Sequence, residues 1–174
     1  MYKFFKTLVL LSYGIFFLYP TTILAEEKIK IGLLVPMTGE DKKIGYHIIK
    51  STRIALKDIN TEKFEIYLKD TNSNPNKTIK SAIELKEIGV KIVIGPVFHK
   101  SLTYLEEIPE ITFLSFTNKT LGLPSNVISS GVNATSQLNA IKKFIKLNKI
   151  DRTILLTPKL DYEDEIKKAI KNSK

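Results

Sequence analysis

The sequence predicts an α/β fold, a doubly wound parallel sheet. Short apolar runs rich in Ile, Val and Leu alternate with stretches of helical periodicity, and several of the runs are apolar at consecutive positions instead of every second one. Each run also ends in a cluster of Pro, Gly, Asn or Thr. A strand buried on both faces reads as a continuous apolar run, and parallel neighbours need a crossover segment between them. In such sheets ligands bind beyond the carboxyl ends of the strands. The exit loops are therefore the first place to look for a site, beginning with Pro36 to Gly39.

Residues 1–25 stand ahead of the fold. Lys3 and Lys6 form a charged start, Thr7 to Tyr19 an apolar core, and Pro20 to Ala25 a helix-breaking end with a small residue at the cut. That is the layout of a cleavable secretory signal peptide, and the apolar core is short for a membrane span. Ile29 to Val35 is the first strand, stopped by Pro36. Ile48, Ile49, Ala55, Leu56 and Ile59 recur at helical spacing from about Ile44 to Asn60, the first crossover. Phe64, Ile66 and Leu68 alternate with polar neighbours in a second strand, which closes on the dense turn Asp70-Thr71-Asn72-Ser73-Asn74-Pro75.

Asn76 or Thr78 is the expected cap of the next helix; Ile79, Ala82, Ile83 and Ile88 form its apolar stripe and Gly89 its end. Val90 to Ile94 is a third strand, broken by Gly95-Pro96, and a short helix over Ser101 to Ile108 ends at Pro109. Ile111 to Phe116 is a fourth strand and Val127 to Ser129 a short fifth. Asn133 caps another helix, with Leu138, Ile141, Phe144, Ile145 and Leu147 on its apolar side. Thr153 to Thr157 is expected as a sixth strand, broken by Pro158, and Tyr162 to Asn172 as the last helix.

The chemistry that this composition excludes is considerable. With no cysteine there is no disulfide framework, no thiolate metal site and no lipidated cysteine. Two histidines and no carboxylate cluster at ligand spacing argue against a metal, and Gly39 with Gly45 makes neither a dinucleotide fingerprint nor a phosphate loop. No cofactor is expected. Losing Lys3 and Lys6 with the leader lowers the formal charge from +9 to +7, which reads as lysines on solvated helix faces ahead of attraction to an anionic membrane surface or wall polymer; nucleic acid is not expected as a partner of an exported chain. His47 lies in a helix pattern, and His99 stands just past the third strand beside Ser101 without an orienting third group. No catalytic residue is assigned. Asn76-Lys77-Thr78, Asn118-Lys119-Thr120 and Asn133-Ala134-Thr135 match the glycan acceptor triplet by chance in an asparagine-rich chain.

Several motifs, in order, carry a resemblance. Ile31-Gly32-Leu33-Leu34-Val35-Pro36-Met37-Thr38-Gly39, Gly45 and Ala55 before Asn60, Lys69 to Pro75, Gly89-Val90, Val93-Ile94-Gly95-Pro96 and Asp161-Tyr162 together resemble the type I periplasmic binding proteins of the leucine/isoleucine/valine-binding group. The resemblance runs from Lys28 to Ile170 and implies lobes, each a doubly wound α/β layer, that close over a small ligand at a hinge. It implies a division into a signal peptide (1–25), an N-terminal lobe (26–130) and the start of a second, similar lobe (131–174), the whole being about half the family's usual length. A second branch of the same fold, the penicillin-binding protein activators, is resembled by Ile94-Gly95-Pro96-Val97-Phe98, Ser115-Phe116-Thr117-Asn118, Gly131 ahead of a helix with Gln137, and Leu156-Thr157-Pro158 before Tyr162. Glu163 replaces the family's usual glycine after the tyrosine.

The resemblance implies a non-enzymatic, periplasmic binding protein. Its leading form is capture of a small amino-acid-like ligand or amide for a membrane ABC permease. Thr38, His99, Ser101, Ser115, Thr117 and Tyr162 would be the polar lining and Phe98 and Phe116 the apolar walls. The alternative is an activator that contacts a peptidoglycan synthase; Phe98 and Phe116 favour it, because each removes donors from where an amino-acid carboxylate would sit.

Overall fold

A computed structural model describes residues 27–157 and 162–173. The leader expected over 1–25, and Pro158 and Asp161, lie outside the described residues. Five strands form one all-parallel sheet in the order β2-β1-β3-β4-β5: β1 Ile29–Val35, β2 Phe64–Asp70, β3 Ile92–Ile94, β4 Thr112–Ser115 and β5 Val127–Ser129. Among the described residues four α-helices accompany them: α1 Lys42–Ile59, α2 Pro75–Glu87, α3 Ala134–Leu147 and α4 Glu163–Asn172. Among the described residues none is long and apolar enough to cross a membrane.

Helix boundaries follow local chemistry. α1 ends where Asn60 turns left-handed (φ 48°) and its N–H meets the Leu56 and Lys57 carbonyls. The start of α2 corrects the expected cap. Asn74, not Asn76 or Thr78, takes the N-cap; its side chain accepts the Lys77 N–H at 3.1 Å, and Pro75 sits at the first helical position, where its missing N–H is harmless. Asn133 caps α3 as the sequence indicates, accepting the Ser136 N–H at 3.0 Å.

The core lies between the sheet and α2. Leu34, Val93, Phe113 and Val127 meet Ala82 and Leu85 of α2 together with Leu102, Leu105, Ile108 and Ile111. A Cβ on Gly32 would come within 2.7 Å of Leu85 Cδ1, so glycine lets α2 lie close on β1. The single short helix expected over Ser101 to Ile108 is instead two 3₁₀ turns, His99–Leu102 and Leu105–Glu107, which drop Leu102 and Leu105 into this core.

α1 covers the opposite face over β1 and β2, with Ile48, Ile49 and Leu56 half-buried; Ala55 and Ile59 of its expected stripe are exposed. In α2 the expected Ile83 and Ile88 are also exposed, and Thr78, Ser81 and Leu85 are buried with Ala82. The sixth strand does not form: residues 151–157 carry no regular structure, and Ile154 and Leu156 are 85% and 89% exposed. Strand geometry needs a neighbour to take its N–H and C=O groups, and the sheet stops at β5.

Candidate binding rim

All five strands run the same way, so the exits of β1, β2, β3 and β4 share one edge of the sheet. Thr38 follows β1, His99 follows β3 and Thr117 follows β4. Close backbone approach shapes this rim. A Cβ on Gly45, at the start of α1, would run into the Pro36 carbonyl, and one on Gly131 would strike the Phe116 and Thr117 carbonyls.

Two carboxylates that the sequence reading did not single out organise the rim. At the β1–β2 end, Asp70 Oδ1 accepts the N–H groups of Met37 (2.7 Å), Asn72 (2.9 Å) and Thr38 (3.3 Å). Its Oδ2 accepts the Thr38 hydroxyl and Lys77 Nζ, both at 2.6 Å. Burial alone would raise the pKa, but the bonds from Lys77, Thr38, Met37 and Asn72 outweigh it and hold the carboxyl well below the usual carboxylate range. Thr38 is exposed, yet its hydroxyl hydrogen is committed to Asp70.

The second carboxylate is Glu165 on the first turn of α4, which grips the loop after β4. Its Oε1 accepts the N–H groups of Thr120 and Leu121 at 2.6 Å each, and Oε2 accepts the Thr120 hydroxyl at 2.7 Å. Burial again opposes ionisation, and the Thr120 hydroxyl and the two N–H groups reverse it, leaving the group lowered. Three residues earlier, the Tyr162 hydroxyl donates to Asn118 Oδ1, and Lys119 Nζ stands 5.6 Å from the Tyr162 ring centroid. Asp70 is marked in the sequence by its place at a strand end, in a dense turn and in the Lys69 to Pro75 motif, and Glu165 by the acidic first turn of a helix.

Between these hubs two of the hydroxyls expected to line a pocket, those of Ser115 and Thr117, are engaged inside the protein. Ser115 is fully buried; its Oγ donates to the Pro96 carbonyl at 2.8 Å and accepts the Thr117 N–H at 3.2 Å. Thr117 is 3% exposed, its Oγ1 accepting the Lys119 N–H and its carbonyl accepting the Ser129 hydroxyl at 2.6 Å. Ser101 is buried, and neither its Oγ nor His99 Nδ1 has a hydrogen-bond partner among the described residues. Burial and the Lys119 charge lower the His99 pKa, against a smaller pull from Glu165. Phe116 is 37% exposed, and Phe98 is half-buried with Lys100 Nζ 5.9 Å from its ring centroid. Of the eight residues picked out from the sequence, His99 alone lines the open depression of about 440 Å³ bordered by Leu102, Thr103, Glu106, Leu123 and Pro124.

An all-parallel α/β layer gathers its polar loop groups along the strand exits, the edge at which ligands bind in sheets of this kind. The chain belongs to the periplasmic binding protein family, whose sequence profile matches residues 28–173. Among solved structures the fold is similar to the C-domain of LpoA from Haemophilus influenzae, described as a regulator of PBP1A (18% identity, 80% of this chain and 44% of that one, TM-score 0.64). It is also similar to the leucine-binding protein LivK of Thermotoga maritima (22%, 83% and 45%, TM-score 0.54). A third likeness is the solute-binding protein of an ABC transporter from Rhodopseudomonas palustris BisB5 in complex with 3,4-dihydroxybenzoic acid (20%, 83% and 43%, TM-score 0.58). The chain spans less than half the length of each of these structures. No curated protein matches the sequence.

Proposed function

We propose that the protein is an exported, non-enzymatic binding protein of the periplasm that acts as a regulator by contacting a peptidoglycan synthase. The observation that carries this reading over solute capture is the fate of the rim hydroxyls. Thr38 donates to Asp70 and Ser115 to Pro96, while Thr117 Oγ1 takes the Lys119 N–H and is buried. A pocket for an amino acid needs convergent, unspent donors for its carboxylate. In this rim the Thr38 and Ser115 hydroxyl hydrogens are spent and Thr117 is buried, which leaves Ser101 and His99 as unpartnered groups on the β3 side, and Phe98 and Phe116 offer apolar surface to a larger partner. In this reading residues 26–130 form one lobe and the segment from 131 opens a second, and Phe98, Phe116 and Tyr162 with the loop 117–121 make up the contact surface.

A thermal-shift panel of amino acids, amides and aromatic acids tests it. A solute held at a hundred times its dissociation constant would stabilise the fold by about 2.7 kcal/mol; the expected result is no saturable shift. A purified bifunctional peptidoglycan synthase should bind the immobilised protein, and Phe116→Ala should weaken that binding about tenfold, as loss of an aromatic anchor does. A saturable shift with any amino acid would instead establish solute capture.

A further inference from the structure

Glu165 joins two parts of the chain that lie 45 residues apart, and it does so from a buried position, 5% exposed. All three of its bonds go to one loop, from Thr120 and Leu121, and all are 2.7 Å or shorter, the range of charge-assisted hydrogen bonds. Tyr162, Glu165 and Ala169 fall at helical spacing on one side of α4, and that side is turned inward: Ala169 is 1% exposed and Tyr162 reaches Asn118. The same loop is secured from beneath, because the Thr117 carbonyl takes the Ser129 hydroxyl and its Oγ1 takes the Lys119 N–H. The groups around the carboxylate are Lys168 on its own helix, Tyr162, and His99 and Lys119 from the rim.

We propose that Glu165 is a built-in clasp that closes the segment after residue 130 onto the sheet rim without any bound solute, and so positions Tyr162 on the Asn118–Lys119 edge. The proposal rests on the two-lobe division and deepens the regulator reading. Where a solute closes two lobes, its differential contacts with the closed state supply the driving force. Here a carboxylate of the chain supplies contacts of that kind, so the closed arrangement and the surface it composes do not wait for a ligand.

The absence of cysteine allows a direct measurement. Lys57→Cys on α1 and Lys171→Cys on α4, both exposed positions, take a pair of nitroxide labels, and pulsed dipolar spectroscopy reads the spacing. The expected result is one narrow distribution for the ligand-free protein. It should broaden about twofold or more in Glu165→Ala, less in Thr120→Val, and be largely restored in Glu165→Gln, which keeps a carbonyl acceptor. A broad distribution in the unsubstituted pair, or an unchanged one in both Glu165→Ala and Thr120→Val, overturns the clasp. Should Glu165→Ala not fold, Thr120→Val decides alone, and an unchanged width there overturns it too. If a free amino acid narrows the distribution of Glu165→Ala, the clasp stands and the regulator reading falls; synthase binding with no effect of either substitution on spacing does the reverse.

Discussion

The two faces of the sheet are built from the same strands and meet opposite fates. Toward α2, Val93, Phe113 and Val127 are buried. Their immediate neighbours point the other way, and there Ile92 is 42% and Ile128 54% exposed. The strands do not distinguish the faces by composition, since both sides of β3 and β5 carry β-branched apolar residues. What differs is the covering layer. α2 and the two 3₁₀ turns close one face, whereas α1 spans only β1 and β2 and leaves a gap of about 150 Å³ against Leu33, Ile66 and Leu68. Burial is thus a property of what lies across from a side chain, and an apolar run reports only the capacity for it.

Substitutions on the two faces test the contrast most sharply. Phe113→Ala should destabilise by about 3–5 kcal/mol in urea unfolding, the usual consequence of emptying a packed aromatic site. Asp70→Ala removes the acceptor for Met37, Asn72, Thr38 and Lys77 and should lower stability by about 2–3 kcal/mol, with the 36–39 loop losing amide protection in hydrogen exchange. Thr38→Val, which deletes one of those bonds, should have an effect of about 1 kcal/mol. Ile128→Thr, on the open face, should stay within about 0.5 kcal/mol of the unsubstituted protein. If Ile128→Thr proved as damaging as Phe113→Ala, the second face would be covered in solution and the contrast would collapse.

Acid titration compares the two carboxylate hubs in the same terms. Asp70 and Glu165 both have folded-state values lowered by their hydrogen bonds, so each is ionised more readily in the folded chain than in the unfolded one. Each therefore contributes stability that is present above the ordinary carboxylate range and is lost as pH falls through the lowered value. Asp70 carries the larger shift, so Asp70→Asn should flatten the acid limb of the stability curve more than Glu165→Gln. Equal flattening would show that the two hubs carry the same load.

The resemblance in sequence and the observed sheet agree where local signals were dense. β1 and β5 fall on the residues their apolar runs mark, Asn60 ends α1 and Asn133 caps α3. They part where a signal had two solutions. Asn74 and Asn76 are equally able caps, and only Pro75, which cannot donate an N–H and suits the first helical position, decides for Asn74. Thr153 to Thr157 has the composition of a strand, but composition cannot provide the neighbour that would make it one. The rim residues Thr38, Ser115 and Thr117 were identifiable as polar groups at strand exits, whereas their partners were not: the Thr38–Asp70 bond spans 32 residues and the Ser115–Pro96 bond 19.

The amino-acid order alone determined that this chain is a run of strand–helix units with parallel strands and a common exit edge, because periodicity and turn chemistry act over a few residues and need no distant contact. Only the folded structure decided which polar groups on that edge are spent and which apolar face is covered. Hydrogen bonds and burial are set by what is brought across from a residue, and Glu165 meets Thr120 and Leu121 only after the intervening sheet strand and helix have been put in place.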